Sequence, residues 1–235
     1  MRIIPAILVF FAAGFALYAQ DGGPLVPPGA VPNIRISETE KSVIIEHLNQ
    51  LNIPAESKTA LAAMIVSAFT GSYLPPGVTV INGNYEAICA RVVSRLFWTA
   101  FGNEDDFSTA RGVSGDAWNM AANVALFGGR LFPWNENSAS LLRTGDIIGI
   151  YYRYSLYNHI QKNRDYTHMA LVVDNIPGRG PLLAHWWNIP RQYIPGAMDP
   201  PWFFRLEFLD DLLGGFPGFF IPREIIRPKN VFIGE

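Results

Sequence analysis

The sequence predicts an α+β domain, with helices in its first half and an antiparallel sheet in its second. As far as about residue 127, apolar residues recur at three- and four-residue spacing. From Gly145 onward the pattern changes to short apolar runs separated by turn residues. Helices grouped before strands, rather than alternating with them, give an α+β arrangement with the sheet packed on the helices.

Composition narrows the function classes. The chain has 235 residues, 49% hydrophobic and 16% charged, with a formal net charge of −2. That suits one sizeable core and provides no basic footprint, which argues against nucleic acid as a partner. Met1-Arg2, the apolar run Ile3 to Leu17 and small residues at Ala16 and Ala19 read as a signal peptide cleaved near Ala19. The apolar run is short for a membrane span, so no stable span is expected after cleavage. An uncleaved anchor is the alternative. The protein is expected to be exported, to a periplasm or outside the cell.

Residues 1–19 are thus the signal peptide, and 20–36 a Pro/Gly-rich linker. Residues 37–72 form a helical hairpin appendage. Ser37-Glu38-Thr39-Glu40 has capping-box character ahead of Val43, Ile44, His47, Leu48 and Leu51. Pro54 opens the second helix, which runs to about Phe69 and carries Leu61, Met64, Ile65 and Ala68 on one face. His47 reads as structural or solvent-facing.

Residues 73–235 form the main domain. Asn84 to Phe101 reads as one helix with Asn84 as N-cap and a stripe of Ile88, Val92, Val93, Leu96, Phe97 and Ala100. Gly115 to Phe127 is another helix, and Phe132 to Ser140 a loop. Asp146–Tyr152, Thr167–Asp174 and Leu182–Trp187 read as strands, the first buried on both faces. Arg205–Phe208 is a further strand candidate, and Glu224–Phe232 a candidate edge strand.

Cys89 is the only cysteine. A lone thiol in an exported protein is an intermolecular link, a free reactive group or a buried inert residue. Near a helix N-terminus, backbone N–H groups favour the thiolate. His168 and His185 fall on consecutive strands, a placement that permits a hydrogen bond between them. A thiol, an imidazole and a polar group orienting that imidazole are what nucleophilic acyl transfer needs. The bland alternatives are a strand-end histidine at His168 and a satisfied core histidine at His185. His159, in a polar stretch, reads as incidental. The histidine spacing matches no standard zinc pattern, and no phosphate-binding glycine loop is present, so neither metal nor cofactor is expected.

A cysteine opening a helix, followed by Gly145-Asp146-Ile147-Ile148-Gly149-Ile150, then Thr167-His168-Met169-Ala170-Leu171-Val172, then Leu183-Ala184-His185-Trp186-Trp187, resembles the NlpC/P60 superfamily of papain-like cysteine peptidases and amidases. The resemblance covers roughly Tyr85 to Asn188. It implies a papain-like NlpC/P60-type fold in which the cysteine helix packs on a small antiparallel sheet. It further implies Cys89 as nucleophile, His168 as general base and His185 as the residue orienting it. Gly115-Asp116-Ala117-Trp118 matches a Gly-x-Ala-Trp element of related amidases, which implies that Trp118 lies near the site. Tyr85 and Trp186 are the other substrate-binding candidates. Around the cysteine the chain reads Ile88-Cys89-Ala90-Arg91, where the family pattern is Asp-Cys-Ser-Gly. The implied function is amide hydrolysis in peptidoglycan stem peptides or another peptide. The alternatives are an inactive envelope-binding or structural protein with an envelope protein partner, and a thiol acyltransferase on a related arrangement.

Overall fold

The structure is a computed structural model, and it describes residues 33–70, 73–81, 84–86, 89–102, 117–152, 167–187, 203–215 and 217–229. The expected signal peptide and most of the linker lie outside them. Among the described residues, no helix is long and apolar enough to cross a membrane.

The elements in chain order are β1 (Asn33–Ile34), α1 (Glu38–Gln50), α2 (Ala55–Phe69), β2 (Thr79–Ile81), β3 (Asn84–Glu86), α3 (Cys89–Phe101), α4 (Ala117–Leu126) and β4 (Arg130–Pro133). They continue with α5 (Ser138–Leu141), β5 (Ile147–Tyr152), β6 (His168–Ile176), β7 (Gly180–Trp187), β8 (Phe203–Phe208), α6 (Leu209–Gly215) and β9 (Phe220–Arg227). The class is α+β. One sheet has the order β1-β8-β7-β6-β5-β9-β4, antiparallel throughout except where β1 joins β8 in parallel. Strands β2 and β3 make a separate hairpin.

α1 starts where its cap directs. The Ser37 hydroxyl accepts from the Glu40 backbone N–H at 3.2 Å, and Glu40 Oε2 accepts from the Ser37 N–H at 2.7 Å. Ile44 and Leu48 of α1, and Leu61, Met64, Ile65 and Ala68 of α2, are buried in one cluster with Val92, Val93, Leu96 and Phe97 of α3. That cluster lies against Met169, Leu171, Leu182, Ala184 and Leu206, so α1 to α3 cover one face of the sheet. The helical hairpin therefore shares its core with the sheet.

The opposite, far face buries Ile148, Ile150, Ala170, Val172, Leu183 and Ile225 against Leu142, Leu209 and Leu212. Cover on this side comes from the ends of the short helices α5 and α6. Burial on both sides accounts for the continuous apolar runs of β5 and β6.

Three expectations about the strands need correction. Strand β9 is interior, between β5 and β4, rather than an edge. Its Pro222 cannot donate to a ladder and would ordinarily mark an edge. Here it pairs with Ile150 immediately beyond a register shift that leaves Arg223 as the extra residue, so the missing donor falls at a bulge. Strand β4 occupies residues read as the start of a loop, and it forms the edge by pairing with β9. At the opposite edge, Asn33–Ile34, read as the end of the linker, pairs with Arg205 and Leu206.

Candidate active site

Cys89 is the first residue of α3, not a residue one turn inside a longer helix. Asn84–Glu86, read as the start of that helix, is instead a strand, with Asn84 opposite Ile81 and Tyr85 opposite Val80. The overlooked signal is Asn82-Gly83, which separates the two strands by two residues and is a strong hairpin dipeptide. The correction brings Cys89 to the helix end, where the first-turn N–H groups carry the positive pole of the dipole. Cys89 is only 4% exposed. Its S–H donates to the Thr167 carbonyl at 3.7 Å, one residue before His168.

His168 opens β6 and His185 lies inside β7; both are buried. Their rings are nearly perpendicular, with centroids 5.0 Å apart, and His168 Nε2 lies 2.9 Å from His185 Nδ1. This meeting depends on one residue. From the hairpin turn, Ile176 pairs with Gly180 and Asp174 with Leu182, but Val172 pairs with Leu183, leaving Val173 as a bulge. An unbulged ladder would put His168 and His185 on opposite faces, because a one-residue slip inverts every side chain. With the bulge, both lie on the far face. On the turn side of the bulge Asp174 lies on the helix face, where its Oδ2 meets His47 Nδ1 at 2.9 Å.

The histidine pair continues into β8. His185 Nε2 lies 3.0 Å from Glu207 Oε1, and Arg205 Nε is 2.8 Å from the same oxygen. The arginine contact is an ion pair lying off the hydrogen-bonding direction. Arg205 is also the register partner of His185. His185, Arg205 and Glu207 are all fully buried. Neither Arg205 nor Glu207 was a candidate from sequence. In Arg205–Phe208, charged and apolar residues alternate, a pattern that does not tell a buried polar face from a solvated one.

Burial, then the electrostatic influence of His185 and Arg205, holds the His168 imidazole well below its ordinary range. Burial also lowers His185; Glu207 pulls it back up and Arg205 opposes that pull. Both rings are therefore neutral at pH 7, so His168 is able to accept a proton rather than being already charged.

Asp146, part of the Gly-Asp segment in the sequence resemblance, is a brace outside this cluster. Its two oxygens each accept from Arg227 at 2.7 Å, and Oδ2 also accepts from the Arg143 N–H at 2.9 Å. Trp186, a substrate-binding candidate, is 2% exposed and packs in the helix-face core, so its ring does not face a cleft. Tyr85 and Trp118 have their backbones in β3 and at the start of α4, and their side chains lie outside what the structure describes. Among the described residues, no group of three or more His, Cys, Asp or Glu side chains is arranged to hold a metal ion.

The site therefore consists of a thiol at a helix N-terminus, beside the start of β6, whose His168 forms a buried neutral imidazole pair with His185 of β7, backed by a carboxylate. No family model, curated protein or solved structure matches the chain.

Proposed function

We propose that the chain is an exported thiol hydrolase that cleaves an amide bond, with peptidoglycan stem peptides as the favoured substrate class, on a papain-like NlpC/P60-type arrangement. The observation that carries this reading is the hydrogen bond between His168 and His185, combined with the contact of Cys89 at the residue preceding His168. His168 Nε2 is engaged by His185, which leaves Nδ1 to serve the thiol.

In this mechanism the Cys89 proton passes to His168 Nδ1 and the sulfur adds to the amide carbon. The first-turn N–H groups of α3 face the developing oxyanion. Collapse breaks the C–N bond, and His168 returns its proton to the departing amine. Water then adds to the thioester while giving a proton to His168. Release of the carboxylic acid returns that proton to the sulfur. His185 holds the ring of His168 and stabilises the transient imidazolium.

Mature protein incubated with purified sacculi should release peptide fragments, and Cys89→Ala should abolish the release. Equal release by both proteins, or none by either across sacculi of differing stem peptides, overturns the assignment. A second reading, an inactive envelope-binding protein on the same fold, has its own support. The thiol is nearly covered and donates to a carbonyl, and the imidazole pair lies on the face opposite the apolar stripe of α3. Thiol alkylation separates the two. A nucleophilic Cys89 labels rapidly at pH values well below about 8.5, whereas an inert one labels only on denaturation.

A further inference from the structure

We propose that Glu207 is a positioning residue that sets the tautomers of both imidazoles, making the buried chain Glu207–His185–His168 a directional proton relay ending at His168 Nδ1. A carboxylate accepts and does not donate, so the nitrogen facing Glu207 Oε1 at 3.0 Å, His185 Nε2, carries the hydrogen. In a neutral imidazole the other nitrogen is then a bare acceptor. That nitrogen, Nδ1, lies 2.9 Å from His168 Nε2, which must donate to it. His168 Nδ1 is left with the lone pair. The acceptor at one end of the chain thus fixes the basic nitrogen at the other.

Arg205 reinforces the arrangement. Its guanidinium lies 2.8 Å from the oxygen that receives His185, so a positive charge sits beside the accepting end of the chain. Arg35 adds a longer contact to Oε2 at 3.9 Å. A neighbouring positive charge also disfavours charge resting on either imidazole, so the relay waits neutral. When His168 takes up a proton, its Nε2–H still points along the chain toward a carboxylate. Only the final transfer, from a thiol to Nδ1, rests on the proposed role of Cys89.

The test is imidazole ¹⁵N NMR on the full chain, with thiol alkylation followed against pH. Both His168 and His185 should carry hydrogen on Nε2 above pH 7. The Arg205→Met/Glu207→Leu double variant removes carboxylate and guanidinium together, so neither is left as a lone buried charge. It should populate the Nδ1–H form of His185 and slow alkylation below pH 8 by tenfold or more. Glu207→Gln keeps an acceptor oxygen and should retain most of the wild-type tautomer signal. Wild-type His185 protonated on Nδ1, or tautomers unchanged in the double variant, overturns the relay. Correct tautomers in a wild type that releases nothing from sacculi would sustain the relay and overturn the hydrolase reading instead.

Discussion

Replacing Arg227 by Met should destabilise the protein by about 3–5 kcal/mol, the usual cost of removing one partner from a buried ion pair. The structure sets that scale. Asp146 is fully buried, and two of its hydrogen bonds, both 2.7 Å, come from the one guanidinium. Arg227 also donates to the Leu141 carbonyl at 2.9 Å, so the variant loosens the end of α5 as well. The guanidinium also lies over the Phe132 ring, 5.2 Å from its centroid, a cation–π contact that methionine loses with the ion pair. Urea unfolding should show a lower midpoint at constant slope. For a chain of this size the melting temperature should fall by roughly 6–20 °C. Arg227→Lys keeps the charge but loses the bidentate fork, and should fall between the variant and wild type. A loss below about 1 kcal/mol would put the pair in the class of exposed ion pairs and refute the reasoning.

The pH dependence provides a second check on the same variant. Burial raises the Asp146 carboxyl above its ordinary range, while Arg227 pulls it down. Without Arg227 the carboxyl rises further and takes up a proton in the folded state before the unfolded chain does. A raised folded pKa adds stability as pH falls toward the unfolded value, about 3.9. The deficit of Arg227→Met should therefore be greatest at pH 8 and shrink at pH 5. A deficit independent of pH would mean that the carboxyl is already protonated in the wild type.

Both site histidines have lowered folded-state pKa values, so the unfolded chain takes up protons first as pH falls below about 6.5. Stability should then fall by up to about 2.7 kcal/mol per pH unit for the pair. The raised Asp146 and Asp174 carboxyls act in the opposite direction. His168→Gln should therefore be compared with wild type by urea titration, and it should remove about half the histidine slope. His47→Ala removes the 2.9 Å partner of buried Asp174 and should cost about 1–3 kcal/mol by the same assay. Gly129→Ala would place its Cβ 2.3 Å from a Val124 methyl and 2.7 Å from the Arg227 carbonyl. Thermal melting should show it destabilised by about 1–3 kcal/mol, and an unchanged melting temperature would mean that the α4–β4 connection is not tightly packed.

Helices and buried strands were legible because their signals are local. The capping box at Ser37 starts α1, and the apolar spacing of α2 names its buried residues. The error at Asn84–Glu86 was also local. Helical spacing continues backward to Asn84, directly after Asn82-Gly83, although that dipeptide is a hairpin signal. Other features were set by partners distant in sequence. Alternation in β8 says that Arg205 and Glu207 share a face, but not that the face is buried against a histidine. Pro222 marks a place where a ladder bond is missing, and only the partner strand decides whether that place is an edge or an interior bulge. Trp186 is adjacent to His185 in β7, and adjacent residues in a strand point to opposite faces, so it packs in the helix-face core.

The pairing of His168 with His185 shows most clearly what a sequence cannot supply. Both histidines and both strands were readable, and the spacing between them was known. Whether the rings meet depends on the parity of the β6–β7 ladder, and the extra residue at Val173 sets that parity. Nothing in Leu171-Val172-Val173-Asp174 marks the bulge, since each residue suits a regular strand. Its cause lies in what each face must satisfy. A regular ladder that kept the present pairing at the turn would invert the first half of β6. Met169 and Leu171 would leave the helix-face core, and Ala170 and Val172 would leave the far one. With the bulge, the apolar faces stay matched to α3 on one side and to the ends of α5 and α6 on the other. His168 and His185 also share a face, while Met169 and Leu171 stay in the core shared with the helical hairpin. Packing of the helical hairpin and assembly of the imidazole pair are thus two consequences of one inserted residue.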